Sequence, residues 1–316
     1  MVQTVSIGKT DLKVPPLGLG TWQWGDRGMW QYGVGYTQSD VEAAYRASRE
    51  AGITFFDTAE IYGRGLSEKL LGPLVQPEHN EVVVATKFAP WPYRLTAGTL
   101  PKALDASLKR LGLVQVDLYQ VHWPWASPIR IEALMNVLAD QVELGKIRAV
   151  GVSNYSARQM RRAHAALAKR GLALASNQVQ YSLLDRRPEK NGVLAACRDL
   201  DVRLIAYSPL AKGALTGKYH DGAAISGARR SNRFFRPAAL QASAPLIKLL
   251  AQVGEAHGGK TPAQVALNWL IHQAVVPIPG AKNASQATSN AGALGWELTD
   301  EEFEQISQVA DKAGGR

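Results

Sequence analysis

Along the chain, short apolar runs recur, each followed by a polar turn and a segment whose apolar residues return every three or four positions. The runs are "PLGLGT", "ITFFDTA", "EVVVATKF", "VDLYQVHW", "IRAVGVSN", "ASNQVQYS", "RLIAYSPL" and "VVPIPGA". Brief β-branched and aromatic runs bounded by turn residues predict strands, and the longer periodic segments predict helices. Helix patterns cover residues 40–50, 100–111, 131–144, 157–170 and 188–201, with Ser39 and Ser156 as N-caps and Gly52, Gly112 and Gly171 as stops. Strand alternating with helix implies βαβ units and a parallel sheet. Eight such units, with no linker and no mid-chain shift of composition, predict a single α/β domain over residues 1–316, a closed (β/α)8 TIM barrel.

The flanks add two expectations. Residues 2–7 and 12–14, around "GKTD", read as an N-terminal hairpin that could close the barrel's bottom. The tail "LTDEEFEQISQVADKAGG" reads as a C-terminal extra helix with Thr299 as N-cap and Glu302 three residues on. After the seventh strand, "AKGALTGKYHDGAAISGARRSNRFFRP" has no periodicity, and loops of that length are usually functional or disordered. A doubly wound sheet is the rival architecture, but its dinucleotide fingerprint is missing. "GLGTWQ", "GVGYTQ" and "GRGLSE" begin G-x-G, yet none has the third glycine or the strand–turn–helix context.

Composition narrows the classes of function. Apolar residues make up 46% and charged residues 20% of the 316 positions, as in an ordinary soluble protein. No run approaches the ~18 apolar residues of a membrane span. Cys197 is the only cysteine and can form no internal disulfide, and the N-terminus lacks the apolar core of a secretory signal, so a cytoplasmic protein is expected. The net charge of +9 invites a nucleic-acid partner, but the basic residues are scattered along helices and no nucleic-acid motif accompanies them. The one local excess, Arg229, Arg230, Arg233 and Arg236, suits a single anionic cofactor; a solvated loop is its plainer reading.

Reactive groups of a (β/α)8 barrel stand at the C-terminal ends of its strands. Those ends carry Asp57, Lys87 and His122, with Tyr62 in the loop that Asp57 opens. Each alone has an ordinary reading: a turn cap, a surface charge, a core histidine, a packed loop aromatic. Together they suit delivery of a proton to oxygen. A free phenol has a pKa of ~10, high for an acid at neutral pH. A lysine ammonium ~4 Å away, at an effective dielectric of ~20, would favour the phenolate by up to ~4 kcal/mol, and burial would take some of that back. Lys87 is therefore expected to acidify Tyr62, Asp57 to hold Lys87, and a neutral His122 to orient a substrate oxygen. Carbonyl reduction fits such a site, given a hydride source. A metal-dependent hydrolase would want paired histidines at strand ends, which are lacking, so no metal is expected.

The segments "GITFFDTAEIYGRGLSEKLLG", "VVVATKF", "DLYQVHWP", "GVSNYS", "NQVQYSLL", "AYSPLAKGALTGKY" and "PIPGAKNASQATSNAGALGW" together resemble the successive signatures of the aldo-keto reductase superfamily. The resemblance implies a TIM barrel that binds NADPH without a Rossmann motif, and a tetrad of Asp57, Tyr62, Lys87 and His122 with Tyr62 as general acid. It also implies that Ser153, Asn154 and Gln178 hold the nicotinamide carboxamide and that Tyr207 stacks on the nicotinamide ring. Gly20, Thr21 and Trp22 would lie beside the cofactor, with Ser208, Leu210 and Lys212 along the pyrophosphate. Gly280, Ala281, Lys282, Gln286 and Asn290 match the grip on the adenosine end. The chain departs from many relatives at Ser289, where an acidic residue is common, and at Gln286, where arginine is common. Lys282 and the arginine loop would then supply the 2′-phosphate contact.

The loops after strands one, three and four are rich in aromatics: Trp22, Trp24, Trp30, Tyr32, Trp91, Tyr93, Trp123 and Trp125. Ring-lined, mostly apolar pockets are the usual small-molecule sites. Trp24, Trp91 and Trp123 closely follow strand ends and are expected to touch substrate. "FAPWPYRLTAG" and "GALGW" resemble plant and cyanobacterial members of the superfamily, and a flat aromatic aldehyde such as pyridoxal would suit the pocket, as would other aryl aldehydes. The expected partner is thus a small-molecule carbonyl, with no nucleic acid and no membrane, acting on a monomer or weak homo-oligomer. The alternative is an NADPH-binding redox sensor or partner subunit with slow turnover, resembling the β subunits of potassium channels.

Overall fold

The computed structural model describes residues 3–124, 128–225 and 227–313. Strands β1 (Val5–Ser6) and β2 (Lys13–Val14) pair antiparallel. The next eight follow in strict sequence order as one parallel sheet: β3 (Leu19–Gly20), β4 (Phe55–Asp57), β5 (Val83–Phe88), β6 (Val116–Val121), β7 (Ile147–Ser153), β8 (Leu174–Gln180), β9 (Arg203–Tyr207) and β10 (Val276–Pro277). The sheet closes on itself. A parallel bridge joins Gly20 to Gly280, and the amides of Gly18 and Gly20 donate to the carbonyls of Pro277 at 3.0 Å and Pro279 at 3.1 Å. The predicted barrel, with all eight of its strands, is the observed one.

Its outer layer begins with α1 (Gln38–Glu50), α2 (Leu66–Val75), α3 (Thr99–Leu111), α4 (Ile131–Glu143) and α5 (Ala157–Ala168). It continues with α6 (Arg187–Lys190), α7 (Val193–Leu200), α8 (Pro237–Ala256) and α9 (Pro262–His272), and ends with α10 (Ala284–Ala291) and α11 (Asp300–Lys312). Two local expectations need correction. The N-cap of α1 is Thr37, not Ser39, because Asp40 at the third helical position completes a capping box with Thr37. The helix expected over 188–201 is two helices, since Gly192 at φ 77° turns the chain between them. The caps at Ser156 and Thr299 stand as expected, each in a capping box.

Alternation along the strands divides the core in two. Phe55, Val83, Ala85, Leu118, Ala149, Ile205 and Val276 point into the barrel, while Phe56, Val84, Tyr119, Val150, Leu204 and Ala206 pack outward against helices. Ile7, Leu12 and Val14 of the N-terminal hairpin join the inward set and plug the barrel's lower end. The same alternation carries functional side chains upward. Two residues beyond Phe55 is Asp57, two beyond Ala85 is Lys87, and two and four beyond Leu118 are Gln120 and His122. Polar residues thus replace apolar ones at the inward positions nearest the upper rim.

The aperiodic stretch after β9 folds into three short 3-10 turns, 211–216, 227–229 and 233–235. His220 secures it to α8 through contacts with the Leu240 carbonyl at 3.2 Å and Ser243 Oγ at 3.1 Å.

Candidate active site

Asp57 and Lys87 form a buried ion pair at the top of the barrel, with Nζ 2.5 Å from Oδ1. The other carboxylate oxygen accepts from the Nε2 atoms of Gln120 at 3.0 Å and Gln178 at 2.8 Å. Lys87 also donates to the Thr58 carbonyl at 2.7 Å and to the Tyr62 hydroxyl at 3.3 Å. Paired and hydrogen-bonded in this way, the two charges tolerate burial. Burial lowers the Lys87 pKa, and the Asp57 carboxylate opposes that pull.

Tyr62 stands on a tight turn. Gly63, Arg64 and Gly65 follow it at φ 55°, 57° and 86°, a left-handed run that leads into α2. A Cβ at Gly63 would approach the Gly25 carbonyl oxygen to 2.7 Å, so the turn needs glycine both for its dihedrals and for this contact. Glu68, fully buried in the first turn of α2, is held by Arg110 Nε at 2.6 Å and by Thr86 Oγ1 at 2.6 Å, which ties the Tyr62 segment to the strand that carries Lys87.

His122 lies edge-on to Tyr62, their ring centres 5.7 Å apart. Burial, and then the nearby charge of Lys87, hold its pKa well below the usual histidine value, so the ring is neutral at pH 7. The acidification expected of Tyr62 does not occur. Its pKa is raised well above 10, first by burial and then by the charge of Asp57. Lys87 belongs to a nearly neutral ion pair, so its field at the phenol is largely offset by its own counter-ion, and desolvation wins.

These groups open onto a cavity of about 750 Å³. Asp57, Tyr62 and His122 line it, with Trp22, Ile61 and Trp123; Lys87 is fully buried and does not. Next to them in the lining, Tyr207 donates to Asn154 Oδ1 at 3.0 Å, Asn154 Nδ2 donates to the His122 carbonyl at 3.0 Å, and Ser153 Oγ donates to the Gln178 carbonyl at 2.8 Å. Part of the lining is cationic: Lys212, Lys218, Arg229 and Lys282 all border the cavity. Lys282 donates to the Trp30 carbonyl at 2.9 Å and sits over the Tyr36 ring at 4.4 Å. Burial first, then the charges of Arg229 and Lys218, draw its pKa down to about 8.

A family model described as the aldo/keto reductase family matches residues 16–311. The chain belongs to the aldo/keto reductase family. It is 41% identical to the chloroplastic pyridoxal reductase of Arabidopsis thaliana, over 98% of this chain and 87% of that protein. It is 34% identical to an NADP(+) aldo-keto reductase of Schizosaccharomyces pombe, over 86% of this chain and 83% of that one. Among solved structures, a glycerol dehydrogenase from Gluconobacter oxydans matches with a TM-score of 0.84 at 27% identity, covering 99% of this chain and 97% of its own. A thermostable aldo-keto reductase in complex with the inhibitor epalrestat matches with a TM-score of 0.78 at 28% identity, over 98% and 100%. The protein is therefore an oxidoreductase. Among its described residues no helix is long and apolar enough to cross a membrane.

In this aldo/keto reductase, Gly20, Thr21, Trp22, Asp57, Ser153, Asn154, Gln178, Tyr207, Ser208, Leu210, Lys212, Gly280, Lys282, Gln286 and Asn290 all border this same cavity. Ala281 does not; it is buried, and its carbonyl accepts from the Trp24 indole at 2.8 Å. Trp24 likewise corrects an expectation. At 0% exposure it faces the core rather than substrate, because the turn after β3 points its neighbours Trp22 and Gln23 into the cavity instead. Trp123 lines the cavity, whereas Trp91 lies outside it. Trp125 is outside the described residues. Of the four clustered arginines only Arg229 borders the cavity; Arg233 pairs with Asp185 at 2.6 Å. Sequence reasoning gave no role to Trp30 or Lys218, which line the cavity, or to Gln120, which is buried and donates to Asp57. Gln120 had a signal: a polar residue at an inward strand position between Leu118 and His122.

Proposed function

We propose that the protein reduces aldehydes and ketones to alcohols with NADPH, with Tyr62 as general acid. The observation that carries this reading is the juxtaposition of the Tyr62 hydroxyl with the Asp57–Lys87 pair and a neutral His122 in the cavity wall. The donor set fits a dinucleotide phosphate along the rest of the cavity. The amides of Asn154 and Gln178 with Ser153 would hold the carboxamide, and the Tyr207 face would take the nicotinamide ring. Lys212, Lys218, Arg229 and Lys282 would hold the phosphates, for which a cluster of cations and amides suits the charge. When bound, the reduced nicotinamide supplies the hydride.

The chain's own residues handle the oxygen. His122, neutral, donates to the carbonyl oxygen and sets its direction, while Trp22, Ile61 and Trp123 exclude water. As the carbonyl carbon is reduced its oxygen becomes an alkoxide, far more basic than a phenolate, and the proton passes from Tyr62 Oη to it. A raised phenol pKa does not prevent that transfer; it keeps Tyr62 protonated until the alkoxide forms. The phenolate left behind is stabilised by Lys87 Nζ, already within 3.3 Å, and Asp57 fixes that ammonium without moving.

An apolar, ring-lined wall and the similarity to a pyridoxal reductase support an aromatic aldehyde, such as pyridoxal, as substrate. We read residues 1–316 as a single barrel domain acting in the cytoplasm as a monomer or weak homo-oligomer, and size-exclusion chromatography tests the last part. The deciding assay follows NADPH absorbance with a panel of aldehydes, pyridoxal included, for wild type and Tyr62→Phe. Turnover by wild type, lost in Tyr62→Phe with NADPH affinity retained, is the expected result. Tight NADPH binding with no carbonyl consumed would overturn the reductase and favour a sensing or partner role.

A further inference from the structure

Outside the cavity, Trp91 and Tyr93 form a stacked pair, their rings 6.5 Å apart and inclined by 14°. They are 39% and 73% exposed. Exposed aromatic rings on a loop are normally free to reorient, but this loop is nailed down. Arg94, between the rings and the barrel, makes two contacts with Glu60, at 2.5 and 3.0 Å, and Glu60 also accepts from the Ala89 amide at 2.6 Å. Both partners of this ion pair are mostly buried, and Glu60 belongs to the same loop as Tyr62. The Arg94 amide closes the turn on the Trp91 carbonyl at 2.8 Å. The backbone that carries the two rings is therefore fastened to the barrel by an anchor that begins two residues from Tyr62.

The pair is also continuous with the site. Trp91 meets Trp123 edge-on at 5.3 Å, and Trp123 lies 4.5 Å from His122, ring centre to ring centre. An unbroken series of rings thus leads from His122 through Trp123 to Trp91 and Tyr93. Rigid aromatic faces at low entropic cost are the usual means of holding a flat apolar group.

We propose that Trp91 and Tyr93 form an outer subsite for a second flat, apolar ring of the substrate, so that biaryl and other extended aryl aldehydes are preferred over single-ring ones. This rests on the reductase reading above. The cavity takes the carbonyl and its first ring, and the distal ring leaves past Trp123 to lie on the ledge. Its determinants are separate from those of the cofactor, none of which belongs to this loop.

The test compares biphenyl-4-carbaldehyde with benzaldehyde in wild type, Trp91→Ala and Tyr93→Ala, and measures biphenyl-4-methanol binding by calorimetry. The biaryl-to-monoaryl ratio of kcat/KM should fall about tenfold in Trp91→Ala, chiefly through KM, and less in Tyr93→Ala. The dissociation constant of biphenyl-4-methanol should rise by a similar factor. An unchanged ratio in both variants, or unchanged biphenyl-4-methanol affinity, overturns the subsite. If wild type consumes no carbonyl of the whole aldehyde panel, pyridoxal included, yet biphenyl-4-methanol binding weakens in Trp91→Ala, the subsite stands and the reductase reading falls.

Discussion

Lys282 gives the sharpest electrostatic prediction. Without a bound anion its pKa is about 8, against an ordinary value of 10.5, because it is partly buried and faces Arg229 and Lys218. A phosphate seated among these cations would neutralise that repulsion and return the ammonium toward its ordinary value. Binding then takes up a proton wherever the free enzyme has lost one. The sign follows: affinity is fully present below pH 8 and falls as pH rises toward the pKa of the complex. In the undiscounted limit each pH unit above 8 weakens binding about tenfold. Lys282 is only half-buried, so screening reduces this to roughly threefold per unit, or about tenfold between pH 8 and pH 10. Calorimetric titration with NADP+ in buffers of different ionisation enthalpy should reveal uptake of up to about half a proton at pH 8. NAD+, which lacks the 2′-phosphate, should show less, and Lys282→Met should bind NADP+ weakly at pH 7 and lose the pH dependence. A flat affinity from pH 7 to 10, or proton uptake that survives in Lys282→Met, would refute the reasoning.

Two further outcomes test other parts of the molecule. Because the Tyr62 pKa is raised well above 10 and the His122 pKa depressed well below 6.5, both stay in their active forms between pH 7 and 9, and the single-turnover reduction rate should be flat there. An ionisation near neutrality in that rate would contradict one of the two assignments. Leu12→Ala removes a fully buried side chain from the lower end of the barrel and should cost about 2–5 kcal/mol in urea unfolding. KM should stay close to wild type, and a large shift in it would show that the lower end communicates with the cavity.

The parts legible in the sequence are those set by alternation. A strand shows only two faces, so Asp57, Lys87 and His122 could be placed at one rim by their distance from Phe55, Ala85 and Leu118. Directions that depend on three-dimensional surroundings were not legible. Trp24 and Trp22 stand two apart in one turn, and only the path of that turn sends Trp22 to the cavity and Trp24 to the Ala281 carbonyl. The Lys87–Tyr62 interaction was expected with the correct partners and the opposite effect, because one-dimensional spacing does not report how completely a phenol is desolvated. Arg229 and Arg233 look equivalent in an aperiodic basic stretch. They part company because Asp185, far away in sequence, claims one while the Lys212 carbonyl accepts from the other at 3.0 Å.

The hairpin under the barrel has a practical bearing. Because Ile7, Leu12 and Val14 fill the end opposite the rim, a tether attached ahead of Val5 leaves the molecule from the side away from substrate entry. An enzyme immobilised through that end should present its open mouth to solution. The same attachment past α11, on the outer helical layer, carries no such guarantee of orientation.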